Sequence, residues 1–104
     1  MKQVRFTTVV IQDLKDIYNY IADDNLEAAA RFLSQLQKRW LGLAENPGIG
    51  RKRDELKTEL RSACEGDYVI YYRKISEGRE LIRILHAKRD VNRLFEESDS
   101  TYPL

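Results

Sequence analysis

Two consecutive stretches with helical periodicity constrain the fold of this chain more than any other feature. Apolar residues recur at every third or fourth position over residues 9–22 and again over 29–44, which predicts two amphipathic helices. Asp24 and Glu27 have the spacing of a capping box, so the second helix is expected to begin at Asp24. Because only about four residues would then connect the helices, they are expected to lie antiparallel as a hairpin.

Local signals refine these two helices. Asp13, Lys15 and Asp16 fall between the apolar positions of the first helix, which places them on its solvent-facing side. The motif Asn46-Pro47-Gly48 follows the second stretch, and proline cannot continue the helical hydrogen-bond ladder. The second helix is therefore expected to end there.

The remaining segments have the composition and alternation of short strands. Residues 68–73 are rich in β-branched and aromatic side chains, which favours a central strand. Glycine-containing turns separate the later strands. Strands are expected over 3–7, 59–63, 68–73 and 81–85, with turns at 65–67 and 77–78.

This order of elements predicts a small α+β domain in which an antiparallel sheet packs against an N-terminal α-helical hairpin. The last three strands form a meander, the first strand joins the sheet at an edge, and the hairpin covers one face. Asp90 is expected to cap a short helix whose Phe95 folds back onto the sheet. We expect one domain over residues 1–95 and a flexible acidic tail over 96–104.

Composition excludes several classes of protein. No apolar run approaches the ~18 residues of a membrane span, and the first residues lack the apolar stretch of a signal peptide. Cys64 is the only cysteine, which excludes an intrachain disulfide and a cysteine-based zinc site. These features predict a cytoplasmic protein that does not associate with membranes and carries neither metal nor cofactor.

His86, the only histidine, is the obvious candidate for acid–base chemistry. A general acid or base needs a partner and a cleft, and no serine or cysteine nucleophile is marked by the local sequence. A structural hydrogen-bonding role is therefore favoured. Tyr68, Tyr71 and Tyr72 have the residue type that stacks on nucleobases, but a strand backed by helices buries one face, which favours a place in the core.

Basic residues outnumber acidic ones over residues 51–95, whereas residues 12–27 carry five acids and one base. A basic half of this kind suits an anionic partner. The alternatives are a mixed solvated surface and local ion pairs, such as one between Arg89 and Asp90. Since the net charge of the chain is +1, a general affinity for nucleic acid is not indicated.

Four motifs resemble a known family in combination and in order. They are D-N-x-E-A-A at 24–29, N-P-G-x-G-R at 46–51, L-R-S at 60–62 and L-H-x-x-R-D at 85–90. Together they are similar to the ParE branch of the RelE/ParE superfamily of type II toxin–antitoxin toxins, and the resemblance covers nearly the whole chain.

The resemblance implies a toxin that inhibits DNA gyrase, blocks replication, has no catalysis of its own and is neutralised by a ParD-like antitoxin. It implies no sequence-specific DNA binding by the toxin alone. Two alternatives stay open, a RelE-like ribosome-dependent mRNA endoribonuclease and a non-toxic partner-binding module.

The residues of the ribonuclease branch help to separate these alternatives. Lys57 and Arg89 match basic positions of that branch. Glu59 and Val69 stand where it has cations, and Phe95 stands where it has a tyrosine. An acid in place of a cation is poorly suited to stabilise extra negative charge, which favours the ParE branch. His86 lies near a position where some ribonuclease relatives have a histidine.

Candidate contact residues follow from the apolar helix faces and the basic half. The predicted antitoxin-binding residues are Ile17, Tyr18, Ile21, Phe32 and Leu36. The predicted target-binding residues are Arg61, Arg83, His86, Lys88 and Arg89. No catalytic residue is predicted.

Overall fold

The computed structural model describes residues 3–46 and 49–98, and for 96–98 only the backbone. The helices are α1 (Thr8–Asp24), α2 (Leu26–Glu45) and α3 (Val91–Ser98). The strands are β1 (Gln3–Phe6), β2 (Arg51–Lys52), β3 (Arg61–Glu65), β4 (Tyr68–Ile75) and β5 (Gly78–His86). Within this described part of the chain, no helix is long and apolar enough to cross a membrane.

The sheet has the strand order β1-β5-β4-β3-β2, so the predicted meander is confirmed and β4 lies in the middle. The first strand joins at an edge, as expected, but it runs parallel to β5, with Gln3 opposite Gly78 and Phe6 opposite Leu81. The sheet is therefore mixed rather than wholly antiparallel. Strand β2 lies in a basic segment for which the sequence predicts no element, because two residues are too few to show a period.

The junction of the two long helices differs from the prediction. Asp24 is the last residue of α1, and Asn25 alone connects α1 to α2. The Asn25 side chain accepts a hydrogen bond from the Ala28 N–H at 3.0 Å, and its own N–H donates to the Ile21 carbonyl. Asn25 thus caps both helices. Glu27 lies one position too early to close a capping box.

Strand β1 ends opposite the middle of β5, which leaves the outer edge of β5 without a strand partner beyond that point. The beginning of α1 lies along this edge. Thr7 accepts a hydrogen bond from the Val10 N–H at 3.1 Å and thereby caps α1, while its hydroxyl donates to the Ile82 carbonyl at 3.0 Å. One side chain therefore caps the helix and provides a hydrogen-bond donor for a carbonyl at the edge of the sheet.

Asp13 continues this edge, and the prediction that it faces solvent is wrong. The residue is buried, and its Oδ2 accepts from the Ile84 N–H at 3.1 Å and from Arg83 Nε at 2.8 Å. Its Oδ1 accepts from Arg83 Nη2 at 2.9 Å. The unpaired backbone of β5 needs an acceptor, and a carboxylate on α1 supplies it together with a bidentate ion pair.

The two faces of the sheet carry separate apolar cores. The face toward α1 and α2 buries Val10, Ile17, Leu36, Trp40, Leu43, Ala63, Ile70, Tyr72, Leu81 and Ile84. The opposite face buries Leu60, Val69, Tyr71, Ile82, Leu85 and Phe95.

The prediction that Phe95 folds back is confirmed, since its ring lies 5.2 Å from the Tyr71 ring in an edge contact. The predicted cap of α3 is also present, because Asp90 Oδ1 accepts from the Arg93 N–H at 3.3 Å. Helix α3 continues to Ser98, so the first three residues of the predicted tail belong to it. Residues 99–104 lie outside the described residues.

Candidate functional site

An aromatic cleft lies where the tip of the helix hairpin meets the turn between β3 and β4. We use this name for the concave surface formed by Tyr20, Phe32, Tyr68 and His86. Its cavity measures 680 Å³, and Arg31 and Asp67 are also among its lining residues. A second cavity of 180 Å³ shares Tyr20, Tyr68 and His86 with it and extends to Arg89.

The sheet register places two of the rings together. Tyr68 begins β4 and His86 ends β5, and the two residues are cross-strand partners. Their rings meet edge-on with centroids 5.3 Å apart, and Phe32 contacts Tyr68 at the same distance. Gly66 in the turn has φ +59°, and a Cβ there would lie 3.2 Å from the Phe32 ring. Glycine therefore permits both the turn and the close approach of Phe32.

Two polar groups face the cleft from these rings. Burial raises the pKa of the Tyr68 hydroxyl, and the nearby Tyr20 and Asp67 add to the increase. The phenol is therefore protonated at neutral pH and available as a hydrogen-bond donor. His86 Nδ1 accepts from the Lys88 N–H at 3.1 Å, so a neutral imidazole carries its proton on Nε2.

These features suit binding rather than bond-breaking chemistry. The cleft combines apolar ring faces with a few polar tips, which is the usual lining of a binding site. Tyr20 is 75% exposed and stands at its mouth. No group of three potential metal ligands occurs among the residues described.

The structure brings only part of the predicted antitoxin-binding set to this cleft. Ile21 and Phe32 are half-buried and line it. Tyr18 lies in the seam between α1 and α2, where the helices leave a cavity of only 10 Å³. Ile17 and Leu36 are buried in the helix-facing core. They are not available as anchors for a partner, because contact with the sheet already covers them.

The predicted target-binding set is divided in the same way. His86 and Arg89 line the cleft or its extension, and Lys88 is exposed beside them. Arg83 is committed to Asp13. Arg61 lies on β3 and donates to the Gly50 carbonyl at 3.1 Å, away from the cleft-lining residues. Sequence alone did not show which strand residues share a face.

Sequence reasoning missed Tyr20 as a site residue and treated Tyr68 as part of a mostly buried stripe. Tyr71 and Tyr72 are indeed buried, but Tyr68 is only half-buried. The available signal was the turn at 65–67, which places the next residue at the end of the sheet. The signal for Tyr20 was its position opposite the apolar stripe of α1.

The three positions at which the sequence departs from the ribonuclease branch do not line the cleft. Val69 and Phe95 are buried in the core beneath α3. Glu59 is exposed in a left-handed conformation with φ +64°. Burial raises the pKa of Tyr71 in the same core, and the Arg53 guanidinium lies 5.6 Å from the centre of its ring.

Comparisons with known proteins agree on one family. A family model described as the ParE toxin of the type II toxin–antitoxin system parDE matches residues 4–91. Toxin ParE1 of Caulobacter vibrioides is 33% identical over 87 residues, which cover 83% of this chain and 90% of that protein. Toxin ParE1 of Mycobacterium tuberculosis is 33% identical over 82 residues, covering 77% and 84%.

A solved structure has the same fold. The structure described as the chromosomal ParDE TA system from P. aeruginosa matches with a TM-score of 0.69 and 20% sequence identity. The match covers 83% of this chain and 96% of that chain.

Proposed function

The chain belongs to the family of ParE toxins of type II toxin–antitoxin systems, and from this premise we propose that it inhibits DNA gyrase without catalysis of its own. We further propose that a ParD-like antitoxin neutralises it by binding at the aromatic cleft. The observation that carries the second proposal is the cleft itself, an open concave surface of 680 Å³ lined by partly exposed rings.

The cleft fits a peptide segment with apolar anchors. Disordered segments that fold on binding insert side chains into pockets and hold them with a few polar contacts. Ile21, Phe32 and Tyr68 supply the apolar walls, and the linings carry charges of both signs, including Arg31 beside Asp67. An anchor that is aromatic or aliphatic is complementary to this surface.

Tyr20 offers the sharpest test, because it is exposed and its removal does not open the core. Tyr20→Ala is expected to weaken antitoxin binding by about tenfold or more, as truncation of an aromatic hot spot does. The matched control is Leu41→Ala, an exposed apolar residue on α2 that does not line the cleft. Binding is measured by isothermal titration calorimetry. If both variants and the unmodified chain bind the antitoxin with equal affinity, the antitoxin does not bind at the cleft.

The charged segment that follows β5 is proposed to contact gyrase. Lys88 and Arg89 are exposed, and His86 is half-buried beside them. They project from a tight turn between β5 and α3, next to the cleft, so an antitoxin in the cleft would cover them as well. Because the two surfaces overlap, binding of the antitoxin would prevent binding of the target. Neutralisation would then require no change in the fold.

Two parallel assays test the target. Purified chain is added to gyrase with relaxed plasmid, and separately to ribosomes translating a message. Loss of supercoiling with intact message is expected, and Lys88→Glu with Arg89→Glu is expected to reduce that loss. Cleaved message with normal supercoiling would instead assign the chain to the ribonuclease activity.

The core beneath α3 supports a non-catalytic mode of action. In the ribonuclease branch, cations stabilise the charge that develops at phosphate. Here the two positions of such cations hold Glu59, which is an acid, and Val69, which is buried in the apolar core, and Phe95 in the same core stands at the position of the tyrosine. A buried apolar side chain cannot donate a hydrogen bond to an oxyanion.

A further inference from the structure

A basic cluster lies at the end of the sheet opposite the aromatic cleft. The cross-strand register pairs Lys52 with Arg61, Arg61 with Tyr72, and Lys74 with Arg79. Directly paired residues share a face, and residues two apart on β4 do so too. The four cations Lys52, Arg61, Lys74 and Arg79 therefore project from the helix-facing side of four adjacent strands.

Tyr72 shows that these charges converge. Its hydroxyl donates to the Ile49 carbonyl. Burial raises the pKa of this hydroxyl, while the positive charges of Arg61, Arg79 and Arg39 act in the opposite direction. Three guanidinium groups from β3, β5 and α2 thus lie close enough to influence one buried oxygen.

Among the residues that the structure describes, Arg79 and Arg39 form no ion pair with a carboxylate, whereas three other arginines do. In the ion pairs formed by Arg53, Arg73 and Arg83, the Nε atom donates to a carboxylate at 2.7–2.8 Å. Arg79 is only 3% exposed, and its Nε has no hydrogen-bond partner, as is also true of the buried Nε of Arg39. A buried positive charge without a counter-charge is strongly unfavourable, so an anion near it is stabilised.

A cavity opens at the same end of the sheet, where Lys74 is the cross-strand partner of Arg79. It measures 510 Å³, and its wall includes Lys52, Arg61 and Lys74. Two acids also line it. Asp54 already accepts the Glu59 N–H at 2.9 Å, and the Glu59 side chain is exposed. Three cations against two acids give the cavity wall a net positive charge, which concentrates anions.

We propose that this cavity binds a phosphate group, either as free phosphate or pyrophosphate or as the polyphosphate of a nucleotide. A carboxylate has two oxygens and pairs with one bidentate donor. A phosphate group has oxygens in several directions and can accept from several donors at once. The three wall cations come from the three adjacent strands β2, β3 and β4. The cavity also reaches Leu60, which belongs to the core that α3 covers.

Thermal unfolding of the full chain tests the site, with pyrophosphate, phosphate and ATP as separate probes and with potassium chloride holding the ionic strength constant. Pyrophosphate at a hundred times its dissociation constant is expected to raise the melting temperature by roughly 10 °C. A larger shift with ATP than with pyrophosphate would assign the phosphate to a nucleotide, and equal shifts would assign it to the free anion.

Matched variants separate a site from general charge screening. Lys52→Gln with Lys74→Gln removes two exposed cations of the wall, and about a tenfold loss of affinity is expected for each. Lys15→Gln with Lys38→Gln makes the same change of net charge on the helices and is expected to bind like the unmodified chain. Arg79→Met, which leaves the wall intact, is expected to weaken binding as well.

Three outcomes would overturn the proposal. The first is no shift with any probe, and the second is an equal shift in both lysine double variants, which is charge screening. The third is a stronger effect of a polyglutamate peptide than of pyrophosphate, which would assign the cluster to an acidic protein segment. Antitoxin binding at the cleft is measured separately, so either result stands without the other.

Discussion

Arg83 and Arg79 lie four residues apart on β5, and their environments are opposite. Arg83 lies where α1 borders the free edge of the strand, and Asp13 holds it through two hydrogen bonds of 2.8 and 2.9 Å. Arg79 begins the strand beside β1 and is more deeply buried, yet it donates only to the carbonyl of the preceding Gly78. The charge of Arg83 is therefore neutralised by an ion pair within the fold. The charge of Arg79 is not neutralised by any carboxylate in the described part of the chain.

Burial of an arginine therefore affects stability differently at these two positions. A buried ion pair contributes little net stability, but breaking it is costly because the remaining partner keeps its charge. A buried charge without a partner has no such contact to lose. Variants at the two positions should therefore change the free energy of unfolding in opposite directions.

Asp13→Ala is expected to have the largest effect. It leaves Arg83 buried without its carboxylate and leaves the Ile84 N–H without an acceptor, so the free energy of unfolding should fall by about 3–5 kcal/mol. Urea denaturation monitored by circular dichroism measures this change. The control is Asp16→Ala on the exposed side of α1, where a change within about 0.5 kcal/mol is expected.

A double variant sharpens this result. Asp13→Leu with Arg83→Met replaces both charges by apolar groups and is expected to regain most of the lost stability, since no unpaired charge remains. A double variant as unstable as Asp13→Ala would mean that the Ile84 contact, rather than the ion pair, is the important interaction.

Gly50→Ala tests whether the chain packs as tightly around the Tyr72 hydroxyl as it does at the edge of β5 around Arg83. Gly50 has φ +100°, and an added Cβ would lie 1.8 Å from the Tyr72 hydroxyl oxygen. Backbone strain and overpacking together are expected to cost about 2–4 kcal/mol. Gly42→Ala is the control, because its added Cβ meets nothing within 4 Å. Equal melting temperatures for the two variants would show that this region is loosely packed.

Thr7→Val isolates the other contact at the Arg83 edge. The substitution keeps the shape of the side chain but removes the hydroxyl that caps α1 and donates to the Ile82 carbonyl. A loss of about 1–2 kcal/mol is expected. Thr8→Val changes the exposed neighbour and serves as the control. If Thr7→Val were neutral, the cap and the Ile82 contact would add little to the apolar packing and the Asp13 contacts that hold α1 against the sheet.

Much of the fold could be predicted from sequence, because periodicity and turn residues act locally. The two helices, the meander, the Asp90 cap and the return of Phe95 follow from such signals. The position of Asp13 could not be predicted, because a polar residue on an amphipathic helix normally faces solvent. What buries it is the unpaired edge of β5, and that edge depends on where a distant strand ends.

The candidate site was less predictable for the same reason. His86, Phe32 and Ile21 were identified as candidates, but a linear sequence does not show that the turn at 65–67 brings Tyr68 between them. Arg61 and Arg83 were grouped with His86 by charge alone. Their separation depends on strand register, and a bulge between Tyr71 and Tyr72 changes which residues of β5 share a face.

Arg79→Met should have the smallest effect on stability and the opposite sign to Asp13→Ala. The methionine fills a similar volume, removes the unpaired charge and loses only the hydrogen bond to Gly78. Relief of the buried charge should equal or exceed the loss of one neutral acceptor contact, so the free energy of unfolding is expected to stay unchanged or to rise by up to about 1 kcal/mol. Arg83→Met, measured by the same urea denaturation, should be destabilising. A loss at Arg79 as large as that at Arg83 would show that Arg79 already has a counter-charge in the folded chain, and the contrast between the two arginines would disappear.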